Sequence, residues 1–433
     1  MHKKRRRKSK APVIIAIIVA LAVIGVAVWA ALQMSGGGVR GNSSLPSGSG
    51  QPAASGSGSG SVAQTQQEAD LPEEMRAMWI SFLEWQQYDI STEAAMRQVA
   101  GKLFDDCKDM GLNTVLVMVR PFGDALYKSE VYPWSHLITG IQGQDPGYDP
   151  LAVMIEEAHA RGLRLEAWIN PYRVQHASIG PKQLSADNPA VLHPDWAQEV
   201  QGALWYDPGI AEVQDMVVEG VREIVQNYDV DGIHFDDYFY PEGNTEDFDA
   251  ASYAALGQGM DRAAWRRENV NTLVSRVYAT IKSIKPTLAF GISPQGNNEN
   301  NYNTQHSDVN MWMKTPGYVD YIMPQNYWGF DYQSSNGSDK AAFGNKCAEW
   351  AGYERLDSIK LYNGLGAYRI GVGDGGANDQ SEWSSGHNIA DQIAYARGVE
   401  GFTGFALFRY EFLVADTELA VAEKQALTNL LTQ

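Results

Sequence analysis

Eight short apolar runs alternate with eight longer amphipathic stretches across most of this chain, and no other feature restricts its fold as strongly. The runs fall at residues 76–81, 114–119, 163–169, 230–235, 288–293, 318–323, 359–364 and 404–408. Their β-branched and aromatic residues suit a pleated, buried surface. The stretches between and after them, at 92–110, 149–161, 210–228, 263–284, 308–314, 339–353, 389–397 and 417–431, carry helix signals. Ser91 or Thr92 caps the first and Gly111 ends it, while Pro150 fills the first turn of the second and Gly162 stops it. Strands alternating with helices predict a parallel sheet. Eight such units predict a (β/α)8 TIM barrel with long βα loops. A doubly wound open sheet is the alternative arrangement of the same units.

The alternation does not begin at the N-terminus. Residues 1–10 hold seven Lys/Arg and no acid. Residues 11–34 are apolar and uncharged, and as a helix would run about 36 Å, enough to cross a bilayer. The basic cluster before this transmembrane helix predicts that it stays in the cytoplasm while the rest of the chain is exported. A cleaved signal peptide is the alternative, but no clear small-x-small site precedes the next segment. Residues 35–70 are rich in Gly, Ser, Gln and Ala and read as a flexible, disordered linker with an r.m.s. reach of about 33 Å. The expected order is a basic cytoplasmic segment (1–10), a transmembrane anchor (11–34), a linker (35–70) and a barrel (71–433). The cytoplasmic membrane is therefore an expected partner.

Formal net charge is −18, and the basic tail leaves the remainder more acidic still. Such a body repels phosphate backbones, so no nucleic acid partner is expected. The 12 Trp and 21 Tyr, with 44% hydrophobic residues, indicate a folded chain with a large core. Flat rings also stack on sugar faces, and composition alone does not separate those roles. Cys107 and Cys347 are expected to be buried free thiols. No Cys/His cluster has metal-ligand spacing, and no cofactor is expected.

The fourth run continues into VDGIHFDDYFYP, residues 230–241. In a strand, Ile233 and Phe235 share one face, and His234 and Asp236 the other. If the first face packs outward, Asp236 enters the interior at the strand's last position. A buried acid is rare unless it is paired or used. Barrel active sites lie at the C-terminal strand ends, and other ends here are polar too. The second supplies Arg120, Asp124 and Tyr127. The third supplies Glu166, Asn170, Tyr172 and Arg173, the fourth Asp237 and Tyr238, and the fifth Glu299. Gln325, Tyr327 and Trp328 follow the sixth, and Glu411 follows the eighth. A carboxylate-rich, aromatic cleft suits glycoside hydrolysis, which needs an acid for the leaving oxygen and a second carboxylate as nucleophile or base. Asp236 is the first candidate. Asp237, Glu299 and Glu166 are candidates for its partner. His234 is expected to orient Asp236, and the remaining residues to bind substrate. An ion-pair network of Arg120, Glu166 and Asp236 that merely fixes the barrel is the alternative to chemistry.

These motifs resemble the glycosyl-hydrolase-like 10 family (DUF187) of bacterial (β/α)8 proteins. RAMWIS from Arg76, GDALYKSEVYPWS from Gly123, GYDPLAVMIEEAHARGL from Gly147, AWINPYR from Ala167, FGISPQGN from Phe290 and VDYIMPQNYW from Val319 carry the resemblance with the stretch at 230–241. It implies a sugar-binding barrel that hydrolyses bacterial cell-wall glycan, a polysaccharide substrate, with strands already stripped of stem peptides. A non-catalytic glycan-binding barrel is the alternative. The chain departs from the family pattern at Glu166, usually a histidine. It departs again after Pro294, where Gln295 and Glu299 replace an aromatic residue and an arginine.

Overall fold

The structure is a computed structural model that describes residues 67–432 apart from 177, 182, 244, 246 and 378–381. Each of the eight apolar runs overlaps a strand, with bounds that agree to within two residues at most of the ends: β1 (Met75–Ile80), β2 (Thr114–Arg120), β3 (Arg164–Ile169), β4 (Gly232–Phe235), β5 (Ala289–Ile292), β6 (Tyr321–Ile322), β7 (Lys360–Leu365) and β8 (Phe402–Leu407). They form a closed parallel barrel in which β8 returns to pair with β1, Met75 opposite Gly404 and Met78 opposite Leu407. Closure leaves no free edge in this sheet, which rules out the open doubly wound arrangement.

The connecting helices are α1 (Glu93–Asp109), α2 (Pro150–Ala160), α3 (Ala211–Asn227), α4 (Arg262–Ile284), α5 (Val309–Lys314), α6 (Phe343–Ala351), α7 (Asn388–Arg397) and α8 (Glu418–Thr432). Of Ser91 and Thr92 it is Thr92 that caps α1, and Asp149, not singled out in the sequence, caps α2. Thr92 Oγ1 accepts from the Ala95 amide at 3.2 Å, and Asp149 accepts from the Leu151 and Ala152 amides at 3.1 and 3.3 Å. α6 starts four residues later than the pattern predicts. Before it, the Ser334 hydroxyl donates to the Ser338 carbonyl and accepts from the Ser338 amide, a local turn that competes with helix.

Side-chain alternation sorts the apolar residues into two clusters. Outward residues such as Val115, Val117, Ile233 and Phe235 pack against the helices. Inward residues such as Trp79, Met118, Trp168 and Tyr321 fill the barrel. Two glycines make room inside. A Cβ on Gly232 would lie 2.6 Å from Glu166 Cδ, and one on Gly291 would lie 2.0 Å from the Tyr321 ring. The interior thus admits one large polar side chain beside a tyrosine.

One element was not legible in the sequence. Between β3 and α3, residues Arg173–Gln175, Ala197–Val200 and Ala203–Tyr206 form a three-stranded antiparallel sheet over the loop. Each strand is three or four residues long, too short to display a period of two. Cys107 and Cys347 are buried free thiols, as expected. Residues 1–66, with the basic segment, the proposed anchor and most of the linker, lie outside the described residues. Among the described residues no helix is long and apolar enough to cross a membrane.

Candidate active site

β3 and β4 run side by side in register, Glu166 opposite Gly232, Trp168 opposite His234 and Ile169 opposite Phe235. The alternation therefore stacks their inward residues in layers: Glu166 deepest, Trp168 and His234 above, and Asn170 with Asp236 at the mouth. The Asp236 carboxylate is nearly inaccessible, at 2% exposure. Trp168 Nε1 donates to its Oδ2 at 3.2 Å. Asn170 Nδ2 lies 3.3 and 3.2 Å from its two oxygens, and the Tyr238 amide donates to Oδ1 at 3.3 Å. Burial pushes the acid up to about 7, the nearby positive charge of Arg173 holds it down, and Asp237 pushes it further up. A carboxyl group in that range is protonated for much of the time near neutral pH, as a general acid requires.

Asp237 turns to the other side, toward β5 and β6. Gln325 Nε2 donates to its Oδ1 at 2.8 Å and to the Ser293 carbonyl at 2.9 Å. Burial raises Asp237 as well, against its bond from Gln325. Beyond it, Gln295 and Gln305 each donate to Glu242 Oε1 at 3.1 Å. Glu242 is thus a third carboxylate on this wall. It lies in the loop after β4, where the strand period that identified Asp236 has ended.

Arg173 closes the opposite side. Its backbone amide donates to Asn170 Oδ1 at 2.9 Å. Its guanidinium lies 4.5 Å from the Tyr238 ring centroid and 5.5 Å from that of Trp205. Trp205 comes from the small antiparallel sheet, directly opposite Arg173 in register. Half-buried Tyr327 stacks on Phe408, their centroids 5.6 Å apart, and half-buried Trp328 follows it. The result is a cleft with buried acids, amides and aromatic walls.

The family model for glycosyl hydrolase-like 10 matches residues 74–385. The chain belongs to the glycosyl hydrolase-like 10 family. It is 34% identical to glycosyl hydrolase DigH of Escherichia coli (strain K12) over 88% of this chain and 90% of that protein. It is 38% identical to glycosyl hydrolase YngK of Bacillus subtilis (strain 168) over 76% of this chain, and spans only 66% of YngK's length. The fold is similar to the PgaB (BpsB) glycoside hydrolase domain from Bordetella bronchiseptica, with a TM-score of 0.53 at 12% identity, covering 82% of this chain and 99% of that one. The resemblance read from the motifs is thus correct, and this glycosyl hydrolase-like 10 protein is a glycoside hydrolase.

Within this member of the family several sequence expectations are revised. His234 does not orient Asp236. It is fully buried one layer down, with Nδ1 2.8 Å from the Tyr321 hydroxyl, and Nε2 3.2 Å from Trp79 Nε1 and 3.1 Å from Ser293 Oγ. An indole N–H only donates, so Nε2 accepts and Nδ1 carries the proton. Burial holds the ring neutral, down at about 3. Nor does Glu166 reach the mouth. It lies four residues below Asn170 on β3, or about 13 Å along the strand, where the Tyr321 hydroxyl donates to it at 2.6 Å. Burial raises it to about 7. Glu299 faces away. Its carboxylate pairs with Lys340 at 3.4 Å and lines a surface pocket of about 230 Å³ with Asn310 and Tyr353.

The ion-pair network of Arg120, Glu166 and Asp236 is not formed either. Arg120 donates to the carbonyls of Asn170 and Pro171 and lies 4.2 Å from the Tyr132 ring centroid. It supports the loop that carries Asn170. Tyr127 and Tyr172 are core residues, and Asp124 is a buried acceptor for His136 and Gln142. Glu411 is spent on Arg409 and Gln87. Asp236, Asp237, Asn170, Arg173, Tyr238 and Gln325 are brought together as expected. Gln305 and Glu242 were missed because they lie on loops without strand alternation, and Trp205 because its strand is too short to show one.

Proposed function

We propose that this protein is a membrane-anchored, extracytoplasmic hydrolase that cleaves the glycosidic bonds of bacterial cell-wall, peptidoglycan-type glycan strands. The observation that carries the chemistry is the Asp236 carboxyl, buried at the centre of the mouth and poised near 7. Asp236 gives its proton to the leaving glycosidic oxygen as the bond to the anomeric carbon breaks. The second carboxylate is Asp237 or Glu242, the two that face the same amide wall. It attacks the anomeric carbon or takes a proton from the attacking water. Tyr238, Tyr327, Trp328 and Trp205 offer rings for sugar faces. The basic segment and apolar run at residues 1–34 support the anchor, and the linker would let the barrel reach glycan above the membrane.

The test is hydrolysis of purified glycan strands by the D236N enzyme. Removing a general acid costs about 10²- to 10⁴-fold in kcat, so product release should nearly vanish. In the unaltered enzyme, kcat/KM should fall as pH rises through about 7, where the acid form is lost. Undiminished cleavage by D236N would exclude Asp236 from the chemistry. Azide rescue of E242A but not D237A, or the reverse, would identify the partner carboxylate.

A further inference from the structure

A surface pocket of about 230 Å³ lies behind one wall of the cleft. The short helix Asn298–Asn303, which follows β5, borders both. On one side Asn300 Nδ2 lies 3.4 Å from Gln295 Oε1. Asn301 donates to the Gln295 carbonyl at 2.8 Å and accepts from the Gln295 amide at 2.9 Å. Gln295 in turn donates to Glu242 on the cleft wall. On the other side Asn298, Glu299, Tyr302 and Asn303 line the pocket with Asn310 and Tyr353. A single helix, about 10–12 Å across with its side chains, thus separates the pocket from the wall that holds the carboxylates.

The lining restricts the ligand. Side-chain amides supply both donors and acceptors. Asn298 Nδ2 donates to Asn310 Oδ1 at 2.9 Å, which leaves the exposed Asn310 its own amide protons, and Asn303 is exposed as well. Two tyrosine rings supply flat apolar faces. Tyr302 is 43% exposed, and the Arg267 guanidinium, 4.1 Å from its ring centroid, steadies the ring while covering at most one face. Tyr353 is held by its hydroxyl, which donates to Glu349 Oε1 at 2.7 Å. The two acids of the pocket are engaged. Glu299 pairs with Lys340 at 3.4 Å, and Asp308 accepts from the Met311 amide at 3.2 Å as the cap of α5. With Lys340 and Arg267 alongside, these two acids leave no net charge, so neither an anion nor a cation is favoured. The volume is below the roughly 300–1,000 Å³ that takes a drug-sized molecule. What fits is one small, uncharged ring rich in hydroxyl or acetamido groups, the chemistry of a pyranose.

We propose that this pocket is a second glycan site, outside the cleft, which holds one uncharged sugar of the same strand whose bond is cut at Asp236. This rests on the glycosidase reading of the cleft. A strand that leaves the cleft past Gln295 crosses the short helix and brings a later sugar to Tyr302 and Asn303. The pocket does not touch the reacting bond. It therefore sets how firmly long strands are held, and not the rate of the chemical step.

The test is calorimetric binding of peptide-free cell-wall glycan of graded length, from the disaccharide upward, to the full-length D236N enzyme, which binds without turnover. A ring contact or an uncharged hydrogen bond corresponds to about 2- to 10-fold in affinity. Affinity should step up at the length that spans both sites. Y302A and N303A, each combined with D236N, should lower affinity for those longer strands by that factor and leave the disaccharide unchanged. Y302W keeps a ring and should retain the step. In the active enzyme, Y302A and N303A should raise KM for long strands by the same factor, with kcat and thermal stability unchanged. Affinity that does not depend on length overturns the proposal and leaves the hydrolase reading intact, as do variants that lower affinity equally at every length. A disaccharide that binds twice to D236N and once to its Y302A form would put a separate glycan in the pocket and overturn the shared-strand assignment. A step that Y302A abolishes, with no cleavage at any length, would count against the cell-wall hydrolase reading and leave the pocket assigned.

Discussion

Three buried ionisable groups stack in layers beneath the mouth, and their surroundings give each a different task. Asp236 is bonded by Trp168, Asn170 and the Tyr238 amide, and burial raises it to about 7 while the nearby Arg173 opposes the rise. His234, one layer down, is neutral and accepts from Trp79. Glu166, the deepest, accepts from Tyr321 and is raised from 4.5 to about 7 by burial, with Asp231 and Asp320 adding to the rise and Arg164 opposing it. A folded-state value above the unfolded one means that its stabilising contribution is complete below about 4.5 and lost as pH rises through about 7. Glutamine retains the acceptor for Tyr321 and removes the charge. E166Q should therefore match the parent protein's thermal stability at pH 4 and exceed it at pH 8, by up to roughly 3 kcal/mol. Glycan cleavage should stay close to wild type, because Glu166 lies below the site. A large loss of kcat in a folded E166Q enzyme would return it to the chemistry.

At the scale of elements, the strands hold the acids and the loops complete the cleft. β5 illustrates the tolerance inside the barrel. Tyr321, which approaches Gly291, is held by His234 and Glu166 and cannot easily yield. G291A should cost at least about 1–3 kcal/mol, as overpacking does, and should lower the urea midpoint without changing the denaturant slope. The small sheet between β3 and α3 borders the cleft instead. Its Trp205 faces Arg173 across an antiparallel register. W205A removes a cation–π contact worth about 0.5–2 kcal/mol, so KM should rise severalfold with kcat changed less. An equal fall of kcat on every substrate would show that the sheet supports the barrel rather than the ligand. The eight barrel strands were legible because each spans enough residues to show its apolar character. The small sheet was not, because its three strands are held by register with one another and by the loop they cover.

For the whole molecule, the proposed anchor would place an acidic hydrolase at the outer face of a membrane. The full-length chain should fractionate with membranes, and a variant lacking residues 11–34 should not, with cleavage of short soluble oligosaccharides retained. Recovery of the full-length chain in the soluble fraction would remove the anchor from the proposal. The sequence by itself determined the barrel, because apolar periodicity is local and eight strand–helix units can close without a free edge. It also determined the family, through motifs carried in one order, and the place of Asp236, because alternation along β4 sends every second residue inward. Only the tertiary structure decided which polar residues meet. Glu166 and Asp236 lie on neighbouring strands but at different depths, a distinction set by register. Arg120, Asp124 and Glu411 carry the right chemistry, but neighbours distant in sequence occupy them. Glu242 reaches the cleft on a loop and Trp205 on a short strand, and the course of both depends on packing against other strands' loops.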